Sequence, residues 1–390
     1  MKRRLLSTAL VVVLLLSAFV VCAAAPAANG DIVIGLIQDL SGPGSVFGNS
    51  CKKGSELAVS KINAAGGLRG RKIKLISYDI KGDVQESINA FTRLADVDKA
   101  VAVVGPPLSN VGLATISITN EKKVPFVGAF GDPNCMINKD GSLNRYMFLA
   151  QPSAPYVGML AADYALKKMK YKKFAFFVRQ DHAYNMAMYK AFWEYVKAKG
   201  GQILISQFCN ANDKDFKVQL TKINVSKPDV LVSIVTTQED VIMVQQANQM
   251  GIKLPIIGNA DFSLPFATLL NDPKIADDIY FPNNLDYEQP SIQTVRKEYK
   301  AMFNTEPDIK SYIGYDEIAV IAEAIKRAGY KADSESIRNA LENKIKNLPV
   351  TQGKFTMDPK THMPIGLTMV MYKIDKGQYK FVEAYVPSKR

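Results

Sequence analysis

The stretch that decides the fold runs from residue 31 to residue 79 and reads DIVIGLIQDLSGPGSVFGNSCKKGSELAVSKINAAGGLRGRKIKLISYD. It begins with the apolar run IVIGLI (residues 32–37) and passes through a loop rich in glycine and proline. The apolar residues of 54–65 then recur at helical spacing, and KIKLISYD (72–79) follows. A strand, a helix and a second strand in this order predict a βαβ unit with parallel strands.

The same alternation continues along the chain. Short runs rich in valine and isoleucine predict further strands, and segments of helical periodicity separate them. Runs that are apolar on both faces are typical of parallel sheets covered by helices on both sides, so we expect an α/β protein. These further strands are predicted at residues 100–105, 124–129, 174–178, 202–208, 230–235, 255–258 and 278–282.

The length of 390 residues favours two domains. The periodic pattern is interrupted at residues 148–156, 281–291 and 348–359, which predicts three crossings between two Rossmann-like lobes, a three-segment hinge. We therefore expect lobe 1 to comprise residues 29–149 and 282–351, and lobe 2 to comprise residues 150–281 and 352–390. Three ordinary surface loops are the alternative interpretation.

Residues 1–28 have the features of a secretory signal peptide. Lys2, Arg3 and Arg4 precede an apolar stretch over residues 9–21, and alanines follow it. Export to the periplasm is therefore expected. Lipid anchoring through Cys22 is the alternative, although the preceding Val21 is bulkier than such processing prefers.

Composition argues against several classes of function. The chain has 49 basic and 37 acidic residues, yet no basic block interleaved with aromatic residues, so nucleic-acid binding is not expected. Cys51, Cys135 and Cys209 are an odd number, which leaves at most one bridge, such as Cys51 to Cys135. His182 and His362 lie far apart, and no nucleophile–base motif occurs. We predict no metal, no cofactor and no catalytic residues.

Ligands of parallel sheets bind beyond the carboxyl ends of the strands, and we therefore examine the residues that follow each strand. Gly42, Gly44 and Gly48 do not fit the G-x-G-x-x-G spacing, so the first loop is interpreted as a rim for a small solute rather than a phosphate cradle. Each candidate also has a structural interpretation as a helix cap, a turn or a packed side chain. The candidate ligand-binding residues are Phe47, Ser109, Asn110, Ala129, Phe130, Gly131, Tyr184, Thr236 and Asp261.

Residues 39–79 resemble the opening of the leucine/isoleucine/valine-binding protein family, which are type I periplasmic solute-binding proteins of ABC transporters. The shared pattern is S-G-P, an aromatic residue before glycine, a helix ending in I-N-x-x-G-G, and a strand ending in aspartate. The likeness continues through VVGPPLS, PFVGAF and GYDEIA (residues 314–319). The resemblance implies a monomeric two-lobed protein that closes on a small ligand and delivers it to a membrane permease.

The resemblance also implies roles for single residues. Ser109 matches the serine that holds the carboxylate of the ligand, and Ala129 matches a carbonyl acceptor for its ammonium group. Phe47 and Tyr184 match aromatic residues that line and close the pocket.

Two departures leave the ligand open. Gly131 stands where amino-acid binders place threonine, and Asp261 is shifted by one residue from the usual acidic position. A small apolar or branched-chain amino acid is the expected ligand. A carboxylate without an α-amine, an amide, or a role as a ligand sensor are the alternatives.

Overall fold

The structure is a computed structural model that describes residues 30–387. The predicted signal peptide and Cys22 lie outside the described residues. Within the described range, no helix combines the length and the apolar composition that crossing a membrane requires.

Strands and helices alternate through most of the described chain. The strands are β1 Ile32–Gln38, β2 Ile73–Asp79, β3 Ala102–Val104, β4 Phe126–Gly128, β5 Met147–Leu149, β6 Lys173–Arg179, β7 Gln202–Cys209, β8 Val230–Ile234, β9 Ile256–Ile257, β10 Ile279–Asn283, β11 Leu348–Val350, β12 Gly353–Met357, β13 Pro364–Leu367, β14 Val370–Asp375 and β15 Gln378–Ala384. The α-helices are α1 Ser45–Ala64, α2 Val84–Asp96, α3 Ser109–Lys122, α4 Ala154–Lys167, α5 Ala183–Ala198, α6 Lys217–Ser226, α7 Thr237–Gln249, α8 Pro290–Phe303, α9 Ile309–Arg327 and α10 Ser334–Lys344.

Two large sheets confirm the predicted α/β fold with two lobes. Lobe 1 is built on a five-stranded sheet of order β2-β1-β3-β4-β5, in which all neighbours are parallel. Lobe 2 is built on a seven-stranded sheet of order β15-β14-β10-β9-β8-β6-β7. Its strands β14 and β15 pair antiparallel, which the sequence patterns did not predict.

Both faces of the lobe 1 sheet are covered by helices. Ile34 and Leu36 of β1 pack against Ile321 on one face, and Ile37 packs against Phe91 on the other. All five residues are fully buried, and each contributes about 1.5–3 kcal/mol relative to an exposed position. This burial on both faces explains why the strand reads as an unbroken apolar run.

One buried side chain connects all three crossovers. Gln352 donates from Nε2 to the carbonyl of Ala150 at 3.1 Å and to the carboxylate of Asp316 at 3.0 Å, and its Oε1 accepts from the amide of Asn284. Ala150, Asn284 and Gln352 lie on the first, second and third crossover respectively. Gln352 therefore fixes the hinge segments relative to one another.

Residues 353–367 are associated with the core of lobe 1 rather than with the sheet of lobe 2. Strands β11–β13 form a separate antiparallel sheet, and Phe355 and Met357 of β12 pack into the lobe 1 core. His362 stacks on Phe148 of lobe 1 with ring centroids 4.3 Å apart. After the third crossover, the chain re-enters the lobe 2 sheet at Val370, where β14 pairs with β10.

The three described cysteines are buried and free, so the bridge between Cys51 and Cys135 that the sequence left open is not formed. Burial raises the pKa of the Cys51 thiol, and nearby Glu317 acts in the same direction.

Candidate functional site

A cavity of about 80 Å³ lies between the lobes, at the carboxyl ends of the parallel strands. Loops after β1 and β3 form its lobe 1 wall, and residues after β6, β8 and β9 form its lobe 2 wall. Each of the three crossovers also contributes, so the cavity is placed where hinge motion would open or close it. The lining side chains discussed below are Gln38, Phe47, His182, Tyr184, Thr236, Asp261 and Lys310.

Phe47 reaches the cavity from the first turn of its own helix. The carboxylate of Asp39 accepts from the backbone N–H groups of Gly42 and Gly44, each at 2.7 Å, and closes the loop tightly. Helix α1 consequently begins at Ser45 rather than at residue 54. A Cβ on Gly48 would lie 1.9 Å from the carbonyl oxygen of Asp39, so only glycine permits this approach.

Asp261 is carried into the wall by the turn that follows β9. Asn259 accepts from the N–H of Asp261 at 3.0 Å and donates to the carbonyl of Val235 at 3.0 Å. The hydroxyl of Thr237 donates to the carbonyl of Asp261 at 2.9 Å. Burial raises the pKa of Asp261, while the ammonium group of Lys310 acts in the opposite direction. The shifted acid therefore does reach the cavity.

Thr236 also lines the cavity, but its polar groups are engaged within lobe 2. Its N–H donates to the carboxylate of Glu239 at 3.1 Å, and its hydroxyl contacts the same carboxylate. We interpret Thr236 as part of the start of helix α7 and of the cavity wall.

Tyr184 closes the cavity from lobe 2, and Gly131 of lobe 1 makes room for it. A Cβ on Gly131 would lie 2.5 Å from two carbons of the Tyr184 ring. The threonine that the resemblance places here could not coexist with this position of the ring. The glycine at position 131 is thus what allows the Tyr184 ring to occupy its place over the cavity.

Three other candidates contact the protein instead of the cavity. Ser109 is fully buried, and its hydroxyl accepts from the N–H of Asp132 at 3.1 Å. The carbonyl of Ala129 accepts from Gln151 at 2.7 Å. Phe130 packs in the lobe 1 core with its ring 5.0 Å from that of Phe126. Ser109 and Ala129 are not among the residues that line the cavity, and the roles that the resemblance implies for them stay predictions.

Asn110 joins the two lobes. Its side-chain amide donates to the carbonyl of Asp181 at 3.1 Å and accepts from the N–H of Ala183 at 3.0 Å. Asn110 lies on α3 of lobe 1, whereas Asp181 lies in the loop before α5 and Ala183 is the first residue of α5 in lobe 2. The structure therefore describes the lobes in contact across the cleft, with Asn110 as a bridge rather than as part of the cavity wall.

Sequence reasoning did not place several polar wall residues in the site, among them Gln38, His182 and Lys310. The Oε1 atom of Gln38 and the Nδ1 atom of His182 are buried and have no hydrogen-bond partner among the described residues. Burial lowers the pKa of His182 to about 4, so its ring is neutral near pH 7. Lys310, at the start of α9, supplies an ammonium group. Gln38 and His182 follow strands and could have been found, whereas Lys310 carries no such signal.

This combination of two hinged lobes and an interlobe cavity with apolar and charged walls defines a solute-binding protein. A family model described as periplasmic binding protein matches residues 31–378, and the chain belongs to that family.

Individual relatives are similar over most of their length. The Leu/Ile/Val-binding protein BraC3 of Rhizobium johnstonii is 28% identical over 85% of this chain and 89% of its own. The branched-chain amino acid transporter substrate-binding protein LivJ of Streptococcus pneumoniae, solved with isoleucine, superposes with a TM-score of 0.82 at 27% identity, covering 91% of this chain and 99% of its own. A solute-binding protein of Rhodopseudomonas palustris, solved with 3,4-dihydroxybenzoic acid, shares the fold with a TM-score of 0.80 at 22% identity, covering 92% and 98%.

Proposed function

We propose that this protein is the solute-binding component of an ABC transporter and captures a small apolar α-amino acid between its lobes. The observation that carries the proposal is the carboxylate of Asp261 in the wall of an otherwise mostly apolar cavity. An ammonium group buried without a carboxylate would be unfavourable by several kcal/mol, so this position suits an amine. The names of BraC3 and LivJ support the same class of ligand.

In the proposed mechanism, the ammonium group binds Asp261, and the unpartnered Oε1 of Gln38 is available as a further acceptor. The apolar side chain of the ligand lies against Phe47 and Tyr184. Because these groups come from both lobes, the ligand stabilises the closed state. A membrane permease then receives the ligand from the closed, monomeric protein. The leader at residues 1–28 supports export to the periplasm.

We also propose where the lobes divide. Sheet membership and core packing support boundaries after Leu149, after Asn283 and between residues 367 and 370.

A carboxylate without an α-amine is the second candidate. Burial raises the pKa of Asp261, which favours its neutral acid, and a neutral acid needs no ammonium partner. The substitution Asp261→Asn separates the candidates, because only a ligand with an ammonium group should bind more weakly.

A thermal-shift screen of the mature protein tests the proposal. L-Leucine, L-isoleucine, L-valine, L-phenylalanine, benzoate and their amides form the panel. A ligand at about 100 times its Kd stabilises the folded state by about 2.7 kcal/mol through mass action, a clear rise in Tm. Stabilisation by amino acids that is weakened in Asp261→Asn supports the proposal. A flat response to the whole panel would contradict it.

A further inference from the structure

Lys310 is a half-buried residue that lines the cavity, and none of the roles that the resemblance implies falls on it. Its Nζ atom lies 5.5 Å from the centroid of the Phe47 ring. Within residues 30–387 it forms no ion pair, and neither does Asp261 in the same wall. Asp39 also lines the cavity, but both of its carboxylate oxygens accept from backbone N–H groups of its own loop. Lys310 and Asp261 are then a cation and an anion of the wall that do not neutralise each other by direct contact.

The position of Lys310 is fixed by the packing of α9 on α1. A Cβ on Gly54 would lie 1.8 Å from the carbonyl oxygen of Ser311, and a Cβ on Gly314 would lie 2.1 Å from that of Cys51. The backbones of α1 and α9 are thus in direct contact at two places, because each helix has a glycine where the other approaches. Ser50 of α1 also donates to the carboxylate of Asp308, the residue that caps α9, at 2.7 Å. Lys310 follows this cap and is held beside Phe47.

An ammonium group in a mostly apolar cavity is stabilised by an anion that enters with the ligand. The place implied by family resemblance, Ser109, is fully buried and is not among the residues that line the cavity. The positive charge of Lys310 acts to lower the pKa of both Asp261 and His182, which agrees with the position of all three residues around the same cavity.

Building on the proposed function, we propose that Lys310 binds the carboxylate group of the ligand while Asp261 binds its ammonium group. The bound solute is then a zwitterion that lies between α9 and the turn after β9. Lys310 thereby becomes a specificity-determining residue that distinguishes a free carboxylate from an ester or amide.

Isothermal titration calorimetry with two matched pairs of probes tests this inference. L-Leucine is compared with L-leucinamide, and benzoate with benzamide, on the wild type and on variants at Lys310. Lys310→Met should reduce the preference for the carboxylate member of the pair about 10- to 100-fold, the usual range for a charge-assisted hydrogen bond. Lys310→Arg keeps the charge and should retain most of the preference.

Lys326→Met is the matched control, because it removes the same charge from an exposed position on the same helix. It should behave as the wild type. Thermal melting verifies that each variant folds, and Lys310→Gln replaces Lys310→Met if the latter does not.

Two results would overturn the inference while leaving the proposed function intact. One is an unchanged carboxylate preference in Lys310→Met. The other is loss of that preference in Ser109→Ala instead, which would place the carboxylate at Ser109. A wild type that binds none of the four probes would contradict the proposed function, and the inference with it.

Discussion

Removing the side-chain amide of Asn110 should weaken the binding of every ligand by a similar factor. This amide makes two hydrogen bonds between the lobes, at 3.1 Å to the carbonyl of Asp181 and at 3.0 Å from the N–H of Ala183. A hydrogen bond of this kind contributes about 0.5–1.5 kcal/mol net, so Asn110→Ala should destabilise the closed state by about 1–3 kcal/mol. Because Asn110 does not line the cavity, ligand contacts in the closed state stay intact.

The shift of the closing equilibrium appears as a loss of apparent affinity of about 5- to 150-fold, since only the closed state holds the ligand with both lobes. Calorimetric titrations with several ligands that bind the wild type measure this factor, and small-angle scattering of the ligand-free protein reports the opening. Asn120→Ala, near the other end of α3, is the control. Unchanged affinity in Asn110→Ala, or a loss confined to one ligand, would refute a role in lobe closure.

Three further changes have definite expected outcomes. Gly131→Thr should weaken ligand binding, since its Cβ would lie 2.5 Å from the Tyr184 ring and overpacking costs about 1–3 kcal/mol. Calorimetry should show the loss, and adding Gly131→Thr to Tyr184→Ala should weaken binding less than adding it to the wild type. Gln352→Leu leaves buried hinge groups unpaired at about 1–3 kcal/mol each, so urea denaturation should show a lower free energy of unfolding, and an unchanged midpoint would contradict the role of Gln352. The pKa of His182 falls from 6.5 in the unfolded chain to about 4 in the folded protein, so the unfolded chain binds more protons between these two pH values. The free energy of unfolding should therefore decrease as the pH falls through this window, by up to about 3 kcal/mol. His182→Gln should flatten this part of the pH profile of urea unfolding, and equal profiles for both proteins would exclude His182 as its source.

The part of the site that the sequence predicts is the part set by local rules. Phe47, Tyr184, Thr236 and Asp261 follow parallel strands, and all four line the cavity. The alternation of apolar runs and helical segments likewise predicts the two α/β lobes. These features depend on the strand and its next few residues, which a single sequence displays directly.

The features of the site and the fold that the sequence did not predict depend on contacts between distant segments of the chain. Ser109 also follows a strand, yet it is fully buried outside the cavity wall, where its hydroxyl accepts from the N–H of Asp132, more than twenty residues away. Lys310 lies at no strand end, and only the contact of Gly54 and Gly314 with the neighbouring helix places it beside Phe47. The late return to lobe 2 has the same origin, because short strands such as β12 obtain their partners from tertiary pairing.

The charges of the cavity provide a reason why closure should depend on the ligand. In the closed arrangement, Lys310 and Asp261 are both half-buried and form no ion pair with a described residue. A partly desolvated charge without a partner is unfavourable, so this state is disfavoured while the cavity holds no solute. A zwitterion supplies both missing partners at once, and its two charges cancel, so the net charge of the site does not change. A ligand with only one charge would pair with only one of the two groups and leave the other without a partner. The free energy of closure should therefore be more favourable with a zwitterion than with a ligand of a single charge.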